Sequence, residues 1–139
     1  MKCISILLLS LCICCAMPAQ NKTKTKFSSK YEITETLYNV ISGDAGIERD
    51  WELFNSLFTP DAKLIPIQVN KEGEERAQYV SPQGYIDLSG MWLTENGYSE
   101  KESFIKEDCF ANICHLFSTY EAFKTSKVEE PFMRGIDSI

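Results

Sequence analysis

Four apolar side chains, Ile33, Leu37, Val40 and Ile41, recur at helical spacing and define one stripe. Just before them, Ser29-Lys30-Tyr31-Glu32 forms a capping box: the Ser29 hydroxyl accepts from first-turn amides while Glu32 reaches back. Gly43 follows the stripe and supplies the left-handed residue on which helices end. A first helix is expected over about 30–42. A second stripe, Ile47, Trp51, Phe54 and Phe58, is widened by Leu53 and Leu57. It predicts a helix starting at Asp44 or just after it. Thr59-Pro60-Asp61 ends this helix, because the residue before proline avoids helical angles.

The period then changes. Ile65, Ile67 and Val69 alternate along residues 63–69 as on one face of a strand, and Pro66 removes a ladder donor and makes it an edge. A charged turn around Gly73 leads to a short returning strand at 77–80. Ser81-Pro82 opens a third helix, with a cap and then proline at the first helical position. Its expected stripe is Tyr85, Leu88 and Trp92, with Ile86 and Met91 beside it, and Asn96-Gly97 closes it. Residues 98–109 and 111–125 read as two long strands joined by a tight turn near 110–112. A polar loop at 124–131 precedes a last strand at 132–139.

At 139 residues the chain has room for one domain. Residues 1–19 are expected to be a secretory signal: Lys2 supplies the charge, 4–15 the apolar run, and Ala19 the cut site. The run is too short to span a bilayer, which needs about 20 apolar residues. Residues 20–29 read as a flexible basic leader and 30–139 as the domain. Cutting after Ala19 removes one Lys, leaving 13 basic and 20 acidic residues, a net of −7. From Tyr31 onward the count is 9 basic to 20 acidic, a net of −11, which repels nucleic acid and anionic lipid. The expected location is secreted or periplasmic, with no nucleic-acid partner and no membrane association after signal cleavage.

Export also changes the reading of the cysteines. Four of the six lie in residues 1–19, so Cys109 and Cys114 remain, flanking the turn between the long strands. In an oxidising compartment they are either a cross-strand disulfide or two thiols acting as small apolar groups. His115 is the one histidine and the one side chain of ordinary pKa that exchanges a proton near neutral pH. It is read either as a catalytic group, if its face of the strand lines a cavity, or as a packed sheet histidine. Cys109, Cys114 and His115 are too few and too divergent for a metal, so none is expected. Trp51, Phe54, Phe58, Tyr85, Trp92 and Phe117 could line a ligand pocket or form the core. Phe54 and Phe58 are assigned to the core, whereas Trp51, Trp92 and Tyr120 have polar edges suited to a pocket. Arg134 is read as pairing with a carboxylate, either a ligand's or Glu121.

The order of elements comes with three blocks: residues 50–62 (DWELFNSLFTPDA), 112–121 (NICHLFSTYE) and 134–139 (RGIDSI). Together they resemble the nuclear transport factor 2-like (SnoaL-like, cystatin-like fold) superfamily, over about residues 30–139. The resemblance implies an α+β domain, a cone-shaped, strongly curved antiparallel sheet packed around three helices. It implies a further long strand after the one at 132–139, so that the cone is incomplete here. It also implies a pocket in the cone, for which Tyr38, Trp51, Trp92, Phe117, Tyr120 and Arg134 are the lining candidates. Dehydratase chemistry there needs a His–Asp pair, which His115 forms with Asp137 or Asp61 if the fold brings them together. Isomerase chemistry of the ketosteroid type needs an Asp base with a Tyr and a protonated Asp. The base position falls on Ile65 or Pro66, which accept no proton, and Tyr38 is offset from the catalytic Tyr. The expectation is therefore an exported domain binding a small, mainly apolar molecule without a cofactor. A lyase or isomerase using His115 with a carboxylate, and a dimerising module pairing through its sheet, are the alternatives.

Overall fold

The computed structural model describes residues 27–127 and 129–139. The expected signal and most of the leader lie outside the described residues. Three helices and two antiparallel sheets make an α+β chain in the order α1 (Lys30–Ile41), α2 (Trp51–Ser56), β1 (Ile67–Val69), β2 (Glu75–Ala77), α3 (Pro82–Asn96), β3 (Ser99–Phe110), β4 (Ile113–Phe123) and β5 (Met133–Ser138). The small sheet is the β1–β2 hairpin, the large one has the order β3-β4-β5, and neither closes into a barrel.

Ser29 caps α1 by accepting from Glu32 N–H. The buried face of α1 is Thr34, Tyr38, Val40 and Ile41, so two hydroxyl-bearing residues point inward beside the expected apolar ones. Helix α2 is shorter than its stripe predicts. Gly46 is left-handed at φ 82°, its N–H donates to Thr94 O at 2.7 Å, and Asp50 caps the helix by accepting from Leu53 N–H. Residues 44–50 are thereby committed to other bonds, and Ile47 is exposed.

The expected stripe of α3 is also corrected. Leu88, Met91 and Trp92 are exposed, and the helix buries Pro82, Gly90 and Leu93 instead. Gly90 explains the rotation: a Cβ there would stand 3.2 Å from Trp51 Cζ2, so the bare backbone lets α2 pack against this side. The core gathers Val40, Ile41, Phe54, Leu93, Tyr98 and Ala122, with Trp51, Tyr85 and Tyr120 packed around it. The β1–β2 hairpin lies outside this core, with Ile67 and Val69 exposed.

Arg49 joins these elements. Buried to 6% exposure, it donates to Ile41 O (2.9 Å), Gly43 O (2.7 Å), Leu93 O (3.0 Å) and Ile47 O. One guanidinium thus satisfies carbonyls near the C-terminal ends of both α1 and α3, where helices leave acceptors unpaired and the dipole favours a cation.

The β3–β4 ladder pairs Glu100 with Ala122 and Cys109 with Cys114, and shifts by one residue at Ser103. Strand β5 pairs Gly135 with Tyr120 and Asp137 with Ser118. Alternation along β4 separates two faces. Leu116, Ser118, Tyr120 and Ala122 turn inward beneath α1, and His115, Phe117, Thr119 and Glu121 turn outward. On the outer face Phe104, Phe117 and Ile136 remain exposed.

Candidate functional site

Four residues from four elements form a hydrogen-bonded chain on the inner face. The Tyr38 hydroxyl, from α1, lies 2.8 Å from Ser118 Oγ on β4 and 3.0 Å from Asp137 Oδ2 on β5. Ser118 Oγ in turn donates to Glu102 Oε2 on β3 at 3.0 Å. With Asp137 ionised, Tyr38 donates to it; with Asp137 protonated, the carboxyl donates to Tyr38, which then donates to Ser118. The chain thus links the half-buried Asp137 to the exposed Glu102 through two hydroxyls, each able to donate and accept. Burial raises the Asp137 pKa, and the Tyr38 hydrogen bond partly offsets that rise.

A second carboxyl stands nearby. Glu100 is the second residue of β3, its N–H donating to Ser42 Oγ at 2.9 Å, and its side chain accepts from the Tyr98 hydroxyl. Burial pushes its pKa up to about 7, opposed by the Tyr98 bond and aided by the charge of Asp137. Two further phenols share this field. Burial raises the Tyr85 pKa, and it pushes that of Tyr120 up to about 12, with Glu100 and Asp137 contributing to both. Among the described residues neither hydroxyl has a hydrogen-bond partner, and neither is a fully buried orphan, so both reach solvent-accessible space. Tyr120 lies flat across its cross-strand neighbour: a Cβ on Gly135 would meet the Tyr120 ring at 2.5 Å.

The residues singled out from sequence divide by face. Tyr38, Tyr120 and Asp137 come together on the inner face. His115 does not join them. It is on the outer face, its Nε2 2.7 Å from Ser138 Oγ and its ring against Phe117, so the expected pairing of His115 with Asp137 is not formed. Strand parity is the reason, since Asp137 opposes Ser118 while Ser138 opposes Phe117. Phe117 likewise points away from the core. Trp51 packs edge-on to Phe54, and Trp92 edge-on to Tyr98 at the surface, so neither lies in the tyrosine–carboxylate centre. Arg134 pairs with Glu121 at 2.8 Å on the outer face. Cys109 and Cys114 are joined by a disulfide, with Cα atoms 4.1 Å apart.

Sequence reasoning missed Glu100, Glu102, Ser118 and Tyr98. The signal that could have found Glu100 is the aromatic two residues before it, Tyr98. Two open grooves lie elsewhere. One of about 300 Å³ runs along α1 past Val40, Ser42 and Arg49, and one of about 390 Å³ lies beside Trp51 and Gly90. Neither includes the two raised carboxyls. Among the described residues no three His, Cys, Asp or Glu side chains are grouped to hold a metal ion. No helix among them is long and apolar enough to cross a membrane. No family model, curated protein or solved structure matches the chain.

Proposed function

We propose that the inner face of the large sheet, curved around the helices as a cone of the nuclear transport factor 2-like kind, binds a small, mainly apolar molecule of the exported space. The observation that carries this reading is the pair of hydroxyls, Tyr85 and Tyr120, that have no hydrogen-bond partner among the described residues and both feel the charges of Glu100 and Asp137. Polar groups of this sort, few and convergent within an aromatic surround, orient ligands in apolar sites. The centre offers two phenol donors and a carboxyl whose pKa burial pushes up to about 7. That donor set fits a neutral ligand bearing a carbonyl or ether oxygen. The test is mass spectrometry of small molecules extracted from the purified chain. A neutral, acceptor-bearing compound is expected, its recovery falling about thirtyfold in the Tyr85→Phe/Tyr120→Phe double variant, since two hydrogen bonds at about 1 kcal/mol each are lost. An empty wild-type protein, or equal recovery from the folded double variant, contradicts the reading.

A second reading, pairing of two copies through the outer face, is supported by the exposed Phe104 and Ile136, which flank Thr119 in one row across the three strands. Light scattering should then give a dimer mass that Ile136→Lys returns to the monomer; a monomer at high concentration ends this reading.

A further inference from the structure

The Cys109–Cys114 bridge lies at the tip of the β3–β4 hairpin, far along the ladder from Glu100, and both cysteines are exposed. A side chain from another element stands over it. Lys30 Nζ, from the first residue of α1, is 3.4 Å from Cys109 Sγ and 3.7 Å from Cys114 Sγ. Its position is set independently of the sulfurs. Ser29 fixes the start of the helix, Glu107 Oε2 holds the ammonium at 2.7 Å, and the Tyr31 hydroxyl donates to the same carboxylate at 2.7 Å. The hydrogen bond to Glu107 raises the Lys30 pKa and keeps the amine charged. An ammonium beside a disulfide stabilises whichever sulfur leaves as thiolate, and a better leaving thiolate speeds exchange.

We infer that this bridge is a thiol–disulfide exchange site for low-molecular-weight thiols, at which Cys114 takes up the incoming sulfur and Cys109 leaves as a thiolate held by Lys30. The incoming thiol ionises, giving its proton to solvent, and its sulfur attacks Cys114 Sγ. A new S–S bond forms there as the Cys109–Cys114 bond breaks. The electron pair departs on Cys109 Sγ, to which Lys30 donates. A second small thiol, its proton given to solvent, then attacks the small-molecule sulfur of that mixed disulfide. The small disulfide forms as the bond to Cys114 Sγ breaks, and Cys114 leaves as a thiolate that takes its proton from solvent. The balance is two thiols oxidised to one small-molecule disulfide while the bridge is reduced to two protein thiols. Cys109 is the leaving sulfur because it is the one nearer the ammonium.

The test treats the full chain with reduced glutathione, traps free thiols with N-ethylmaleimide at early times, and locates both labels in the peptide spanning residues 107–124 by fragmentation mass spectrometry. Glutathione is expected on Cys114 and maleimide on Cys109, in clear excess over the reverse. Lys30→Met should slow adduct formation about fivefold, the factor supplied by one unit charge at this range in water. Lys30→Arg should keep the rate. Lys106→Met, on the outer face of the same strand, should leave it unchanged. An even or reversed partition overturns the proposal, as does no adduct at all or a folded Lys30→Met chain that reacts as fast as the parent. The partition is read on the unaltered chain, so it decides the matter even if Lys30→Met fails to fold.

Discussion

Glu100 shows how one residue's surroundings set its chemistry. In the unfolded chain its carboxyl titrates near 4.5, whereas burial under α1 pushes the folded value up to about 7. Between those values the folded state binds the extra proton, so stability falls as pH rises through that window. The loss is up to about 3 kcal/mol, with Asp137 adding in the same direction. Denaturant unfolding of Glu100→Gln should therefore show a much flatter dependence between pH 5 and about 8 than the parent. An equally steep slope in the variant would assign the effect elsewhere. Such a residue is hard to read from sequence. Glu100 sits among Glu102, Lys101 and Glu107, and a charged run on a strand ordinarily faces water. His115 drew attention for the opposite reason, since imidazole is the side-chain type most used for proton transfer. Parity then put it on the outer face.

At the scale of elements, capping residues were the most legible signals. Ser29 and Ser81 each accept from a first-turn amide, and α1 and α3 begin within a residue of where those caps place them. Local signals settled those boundaries because the bonds involved span three or four residues. The face that each helix buries was less legible, because it depends on neighbours remote in sequence. Trp51 selects Gly90 on α3, and Ser118 and Asp137 select Tyr38 on α1. Arg49 is the clearest such case. Its carbonyl partners on the described chain reach from Ile41 to Leu93, and no motif announces them. Replacing it takes the side-chain donor from the Ile41 and Ile47 carbonyls, while Gly43 O and Leu93 O keep their backbone donors Tyr98 N–H and Gly97 N–H, so Arg49→Met should lower unfolding stability by about 2 kcal/mol or more. Arg49→Lys should recover only part of this loss, because one ammonium cannot match the spread of a planar fork. Urea unfolding of the two variants checks both outcomes; parental stability in Arg49→Met would remove Arg49 from this role.

For the whole molecule, the large sheet divides the chemistry between two faces. Its inner face holds the acids and phenols under α1, and its outer face exposes Phe104, Phe117 and Ile136. The alternation along the strands was visible in the sequence, but which alternate set turned inward was not. Both sets on β4 mix apolar and polar residues: Leu116, Ser118 and Tyr120 on one, His115, Phe117 and Thr119 on the other. Only the packing of α1, through Tyr38, breaks that tie. Everything proposed for the inner face depends on its being secluded enough to hold a proton on a carboxylic acid at neutral pH. The most direct measurement is an NMR titration following the Glu100 side-chain carboxyl in the folded chain. A midpoint near 7 is expected, while an ordinary glutamate midpoint near 4.5 would contradict the account.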